Sequence, residues 1–162
     1  MDMRTLLIAN KEAVRAKTRS LFPKIPAAKM TWAPDAKALT LGQLIRHLRM
    51  AEAGLLDVVR KGSWWYLEER IGPVLTSYVG PATDKDAEIR QFEETHAATI
   101  AFLRDVPMEA LEREYRNERL KRAMTGWALI LGLAEHEAHH RGQMAAYLRL
   151  LGEPQPSPYG PY

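Results

Sequence analysis

The most constraining feature of this chain is one long, uninterrupted helical pattern near its C-terminus. The pattern covers about residues 125–151, and Gly152 and Pro154 then end it. At a rise of 1.5 Å per residue, such a helix is about 40 Å long. A helix of this length buries its apolar stripe only if other helices lie beside it along its whole length. The pattern therefore predicts a helical bundle.

Three further helical segments precede this one, over about residues 5–22, 40–60 and 83–104. Thr40 and Gln43 have the spacing of a capping box at the start of the second segment. No stretch alternates apolar and polar residues clearly enough to predict a sheet. The connections are longer than an up-and-down bundle needs, so two consecutive helices can be parallel. The sequence predicts an all-α fold, a four-helix bundle.

Length and composition narrow the class of protein. The 162 residues fit one bundle domain over residues 1–152 and a Pro-rich, extended tail over residues 153–162. The absence of cysteine excludes disulfides, thiolate nucleophiles and thiolate metal ligands. The net charge is only +3, and the longest apolar run, residues 127–134, is far too short to span a membrane. We expect a cytoplasmic protein that binds neither nucleic acid nor membranes.

Two histidines interrupt the apolar stripe of the last helical segment. His136 and His140 lie one turn apart, so their rings project from the same face, between Leu133 and Met144. Burying two imidazoles is costly unless each ring has a partner. A shared divalent metal ion would satisfy both rings, and so would hydrogen bonds to backbone carbonyls or carboxylates. The spacing alone leaves both alternatives open.

A third histidine occupies the same kind of position on the second segment. His47 interrupts an apolar stripe there, and the small residues Ala51 and Gly54 allow another helix to approach closely. One ring from this segment and two from the last would form a three-histidine site. Three protein ligands leave a position open for water or substrate, as in catalytic metal sites. Histidine ligation suits Zn²⁺, Ni²⁺ or Fe²⁺.

Two motifs carry a resemblance to a known family. The chain reads Leu-Ile-Arg-His-Leu around His47 and His-x-x-x-His-Arg-Gly-Gln from His136 onward, and a loop with Trp32 and Pro34 precedes the second segment. With these motifs, the chain resembles the DinB/YfiT-like superfamily over essentially its whole length. The resemblance implies an up-down-down-up four-helix bundle, often a homodimer. It also implies a divalent metal bound by His47, His136 and His140.

The family resemblance also implies a range of activities. Members are thiol-dependent S-transferases or isomerases that use bacillithiol, mycothiol or glutathione, and many others have no assigned reaction. We therefore expect a metal-dependent thiol S-transferase or a hydrolase acting on a small electrophilic substrate. The alternatives are a non-catalytic metal-binding stress protein and a dimeric interaction module.

The same histidines also match a protease motif. His136 to His140 reads His-Glu-x-x-His, in which Glu137 would activate water beside a zinc ion. The metzincin extension requires a glycine at position 143 and a histidine at position 146, where this chain has Gln143 and Ala146. No strand is predicted that would align a peptide substrate. We interpret Glu137 as a surface carboxylate or as the hydrogen-bond partner of a metal ligand.

Four polar residues near these motifs have less specific expectations. His139 lies beside the apolar stripe and should be exposed or at an interface. His96 lies near the inner face of the third segment, as a core or interface histidine or in the lining of a pocket. Arg141 and Gln143 should hold the last helix against a carboxylate or against a group that supports a metal ligand.

Aromatic and charged residues between the helices complete the analysis. Trp64, Trp65, Tyr66 and Tyr78 would form either the mouth of a substrate pocket or contacts in a dimer. The run over residues 112–122 mixes basic and acidic side chains, which is typical of a solvated face and not of a nucleic-acid patch.

Overall fold

A computed structural model describes residues 2–64, 78–118 and 121–153 of the chain. Trp65, Tyr66 and the predicted tail from Pro154 onward lie outside these residues. No helix within the described part is both long and apolar enough to cross a membrane. The helices described in full are α1 (Met3–Arg19), α2 (Leu41–Lys61), α3 (Lys85–Asp105), the short α4 (Met108–Glu112) and α5 (Gly126–Leu150), with single 3₁₀ turns at Phe22–Lys24 and Ala27–Lys29.

Side-chain caps set the starts of three of the long helices. The Thr40 hydroxyl accepts a hydrogen bond from the Gln43 backbone N–H, and the Gln43 side chain accepts one from the Thr40 N–H, which confirms the capping box. Asp2 and Asp84 cap α1 and α3, each with its carboxylate accepting a hydrogen bond from a backbone N–H of the first turn. Gly62 ends α2 in the left-handed conformation, with φ of 74°.

The direction of α3 confirms that consecutive helices run parallel. Arg46 of α2 binds Glu88 of α3, and further along both helices Glu52 lies beside His96. Because both partners advance along the chain together, α2 and α3 are parallel.

Contacts of α1 give the direction of the remaining helices. The pairs are Glu12–His96 and Arg19–Glu93 to α3, and Lys11–Glu137 and Val14–Arg141 to α5. As the chain advances along α1, the residue numbers of its partners decrease in α3 and increase in α5. Helix α1 is therefore antiparallel to α3 and parallel to α5. The four long helices therefore have the up-down-down-up topology.

A β-hairpin joins α4 to α5, so the prediction that the chain contains no sheet was wrong. Strands β1 (Glu114–Asn117) and β2 (Arg122–Thr125) pair antiparallel. Tyr115 and Asn117 are buried, while the two other residues of β1 are exposed. This is the period-two alternation of a half-buried strand. The sequence concealed it because the two inward residues are a tyrosine and a polar asparagine within the charged run over residues 112–122.

Within the described part of the chain, the core consists of two apolar clusters with charge between them. One cluster includes Leu44 and Met144, and the other includes Leu56 and Leu133. Between them along the helices lie four buried charged side chains, which we call the ionic layer. They are Lys11 and Arg15 of α1, Glu52 of α2 and Glu137 of α5.

Candidate metal centre

Three imidazoles meet where α2 packs against α5. The Nε2 atom of His136 lies 3.0 Å from Nε2 of His47 and 3.0 Å from Nε2 of His140. The three ring centroids are 4.5–4.9 Å apart. His136 and His140 project together because they lie one turn apart on α5, and the adjacent α2 contributes His47. The three histidines singled out from the sequence therefore come together, and we call them the histidine triad.

The triad has the donor set and spacing of a divalent metal site. One ligand nitrogen from each ring lies within 4.8 Å of the other two. A tetrahedral ion with bonds of about 2.0–2.1 Å separates its ligand nitrogens by about 3.4 Å, close to the spacing of the Nε2 atoms. Neutral imidazoles that face one another cannot all satisfy their inward lone pairs with ring protons. One metal ion would accept all three lone pairs.

Burial keeps the triad in the form that binds metals. Burial lowers the pKa of His136 to about 3, with further lowering by the charges of His140 and His47. Burial also lowers the pKa of His47 to about 4, helped by His140. The pKa of His140 falls for the same reason, although its hydrogen bond with Gln143 opposes the change. At neutral pH all three rings are uncharged, as metal ligation requires.

Gln143 fixes the orientation of one ring. Nδ1 of His140 donates to Oε1 of Gln143 over 2.7 Å, which leaves the Nε2 lone pair of His140 directed at the other rings. Gln143 therefore contacts a histidine of the motif itself. Arg141 instead donates to the Val14 backbone carbonyl of α1 over 3.4 Å, so its partner is not a carboxylate.

The two other histidines lie outside the triad. His139 is exposed, and its ring centroid is 4.9 Å from that of His140. His96 is buried inside the bundle, with Nε2 3.3 Å from a Glu12 carboxylate oxygen and Nδ1 3.8 Å from Glu52. These positions agree with an exposed His139 and with a core histidine at position 96.

The aromatic residues before α3 are only partly described. Trp64 is buried, and its indole N–H donates to the Tyr115 carbonyl over 3.2 Å, so this side chain holds the hairpin against the bundle. Tyr78 is half-buried against the apolar cluster that contains Leu44. Both residues therefore contribute to packing. Trp65 and Tyr66 lie outside the described residues.

The ionic layer was missed in the sequence analysis, and one of its members was interpreted wrongly. The Glu137 side chain is not on the surface: its exposed fraction is 3%, and its carboxylate pairs with Lys11 at 3.3 Å and Arg15 at 3.1 Å. The available signal was on α1, where Lys11 and Arg15 follow Leu7 at spacings of four on the buried stripe. Amphipathic helices usually place such long cations at the surface, which concealed this stripe.

The neighbouring cations keep Glu52 ionised despite its burial. Burial raises the pKa of the Glu52 carboxyl, but the His96 imidazole and the charges of Lys11 and Arg15 outweigh this effect and hold it at about 2. Two carboxylates thus face two cations in the ionic layer. Buried charges are tolerated when they are balanced in this way.

Sequence comparison assigns the chain to a family. The model of the DinB superfamily matches residues 11–144. The chain belongs to the DinB superfamily. It is also 25% identical over 139 residues to the uncharacterized protein YjoA of Bacillus subtilis (strain 168), which covers 85% of this chain and 84% of YjoA.

Two solved structures share the fold of this DinB-like chain. The crystal structure of the DinB-like YjoA from Bacillus subtilis has a TM-score of 0.71 at 22% identity, covering 97% of this chain and 96% of YjoA. YfiT from Bacillus subtilis has a TM-score of 0.71 at 19% identity, covering 93% and 89%. YfiT is described as a probable metal-dependent hydrolase with an unusual four-helix bundle topology. These likenesses confirm the predicted bundle.

Proposed function

We propose that this chain is a metal-dependent DinB-like enzyme in which His47, His136 and His140 bind one divalent transition metal, Zn²⁺, Ni²⁺ or Fe²⁺. The observation that carries the proposal is the convergence of three neutral Nε2 atoms at 3.0 Å contacts. The description of YfiT as a probable metal-dependent hydrolase supports it. A bound ion would supply Lewis acidity, which lowers the pKa of a water or thiol that reaches it.

Access to the triad favours a catalytic role over a purely structural one. His47 and His136 are only half-buried. One turn before His136 on the same face of α5, a Cβ added at Gly132 would meet no heavy atom within 4 Å outside its own helix, as far as the described residues extend. Among the described residues, this side of the triad is therefore open to a small substrate. A structural metal site is normally closed by four protein ligands.

The reaction we propose is hydrolysis or the transfer of a thiol to a small electrophile. A low-molecular-weight thiol such as bacillithiol, mycothiol or glutathione would be the co-substrate, and a cytoplasmic homodimer is the form we expect. Glu137 does not act as the base of a zincin in this scheme. Its carboxylate is bound to Lys11 and Arg15, on a different face of α5 from His136.

Metal analysis tests the first part of this proposal. Untagged protein is saturated with Zn²⁺, dialysed and analysed for bound metal, and we expect one ion per chain. His47→Ala and His136→Ala should each lose the ion. His139→Ala is the matched control, because His139 is exposed beside the triad, and it should retain the ion. Wild-type protein that holds no metal would remove the metal site from the proposal.

Activity assays test the second part. The metal-loaded protein is incubated with each thiol and a chromogenic electrophile, and separately with activated esters. Turnover that His136→Ala abolishes and His139→Ala retains is the expected result. If the metal-loaded protein shows no turnover, the enzyme proposal is rejected and the non-catalytic metal-binding alternative stands.

A further inference from the structure

The ionic layer joins the two helices that carry the triad through a third helix. Glu52 belongs to α2 and Glu137 to α5, and one oxygen of each carboxylate contacts the same two cations of α1. Lys11 Nζ lies 3.2 Å from Glu52 and 3.3 Å from Glu137. Arg15 lies 2.5 Å from Glu52 and 3.1 Å from Glu137. The exposed fractions of these side chains are 0–3%, so water does not compete for the contacts.

Arg15 is also held by the fourth helix. Its guanidinium donates to the Phe92 backbone carbonyl of α3 over 3.1 Å and stacks on the Phe92 ring at 3.5 Å from the centroid. Arg15 therefore contacts all three of the other long helices. A planar guanidinium bound on several sides has a defined position, which a flexible apolar side chain does not have.

The layer lies next to the metal-binding histidines along both helices. Glu137 directly follows His136, and Glu52 comes just over one turn after His47. Because helices are stiff over such distances, a fixed relation between the two carboxylates also fixes the relation between the two histidines. Apolar contacts are non-directional and permit small shifts, whereas charged hydrogen bonds specify a distance and an angle. A three-ligand site requires placement within about 0.5 Å.

We propose that Lys11 and Arg15 are positioning residues of the metal site. By binding Glu52 and Glu137 together, they hold α2 and α5 in the register that brings His47 against His136. The expected effect on metal affinity rests on the proposed metal function, but the placement of the rings is a property of the metal-free protein. The two can therefore be tested separately.

The test replaces the ionic layer by apolar side chains in the full-length chain: Lys11→Met, Arg15→Met, Glu52→Met and Glu137→Met together. Removing all members of a buried ion network leaves no unpaired charge, and such replacements often preserve folding. Proton NMR of the metal-free protein then measures nuclear Overhauser contacts between the His47 ring and those of His136 and His140. Competition with a chromophoric chelator measures Zn²⁺ affinity.

We expect the replaced protein to fold, to lose the contacts between the His47 ring and the α5 rings, and to bind Zn²⁺ at least tenfold more weakly. Unchanged ring contacts and affinity in a folded variant would overturn the proposal. The matched control is Arg19→Met with Glu93→Gln, which removes a half-exposed pair between α1 and α3 and should change neither measurement.

A second variant keeps the proposal testable if the fourfold replacement does not fold. Lys11→Met with Glu52→Gln removes one charge of each sign and leaves Arg15 paired with Glu137. Weaker ring contacts and a Zn²⁺ affinity reduced at least threefold are expected, and wild-type values in both would again overturn the proposal. If wild-type protein binds no Zn²⁺, the proposed function fails, while the ring contacts still decide whether the layer positions the rings.

Discussion

His136 and Glu137 are consecutive in the chain, yet their side chains belong to different sites on different faces of α5. Nε2 of His136 contacts the two other histidines of the triad, while the Glu137 carboxylate binds the cations of α1. Consecutive residues on a helix point about 100° apart, and here that angle separates the half-buried His136 from the buried Glu137. The string His-Glu-x-x-His thus combines two of the three candidate metal ligands with one member of the ionic layer.

Removing the Gln143 acceptor should weaken metal binding without unfolding the protein. Gln143→Leu leaves Nδ1–H of His140 without its partner and frees the ring to rotate. Loss of such a partner typically costs about 10–100-fold in metal affinity, which competition with a chelator would measure. Gln143→Glu keeps an acceptor and is the control, with affinity equal to or above wild type. Equal affinity for the leucine variant would show that this hydrogen bond has no orienting role.

Arg15 should contribute far more to stability than Arg19, although both bind glutamates of other helices. Arg15→Met leaves two buried carboxylates with one cation fewer, at a cost of about 3–5 kcal/mol in the free energy of unfolding. The Arg19 side chain is 44% exposed, so Arg19→Met should cost less than about 1 kcal/mol. Urea denaturation measures both values. If both variants lost a similarly small amount of unfolding free energy, the buried contacts of Arg15 would contribute little to stability.

The sequence predicted those parts of the fold and site that follow from local chemistry and periodicity. The capping box at Thr40 and the shared face of His136 and His140 depend only on neighbouring residues. The ionic layer could not be predicted in this way, because Lys11 is stable in the core only when carboxylates from two distant segments meet it. The strand pair was missed because Tyr115 pairs with Met124 across a charged stretch of sequence, and neither strand is apolar throughout.

Acid should destabilise the protein through Glu52. The carboxyl of an unfolded glutamate has a pKa of 4.5, whereas the folded chain holds that of Glu52 at about 2. Below pH 4.5 the Glu52 carboxyl is therefore protonated in the unfolded chain but remains ionised in the folded chain. The contribution of Glu52 to the free energy of unfolding, up to about 3 kcal/mol, is fully present above pH 4.5. It is lost as the pH falls towards 2.

Urea denaturation would measure this contribution in wild type and in Glu52→Gln. It is carried out at several pH values between about 6 and 3, roughly the range over which a glutamate titrates. The variant starts less stable but should lose less stability on acidification. Glu135→Gln removes an exposed glutamate of α5 and serves as the control for the loss of one carboxyl. Parallel curves for wild type and Glu52→Gln would show that acid sensitivity arises elsewhere.

Filling the space beside His136 should block access to the metal site but leave the ligands in place. Gly132→Leu puts a side chain one turn from His136 on the same face, where a Cβ has no neighbour within 4 Å outside its own helix among the described residues. We expect unchanged Zn²⁺ content. In Co²⁺-loaded protein, we expect the affinity for a small thiol to fall at least tenfold. The sulfur-to-cobalt absorption band measures this thiol binding.

Gly142→Leu is the control, because Gly142 has equally open surroundings in the described part of the chain but lies about 200° around α5 from His140. Both variants replace a helical glycine by leucine, so the higher helix propensity of leucine should stabilise both by a similar amount, about 1 kcal/mol. Only the substitution at position 132 should hinder the thiol. Equal thiol binding by both variants would place the route to the triad on another side of His136, and a loss of Zn²⁺ in Gly132→Leu would mean that the added side chain displaces a ligand.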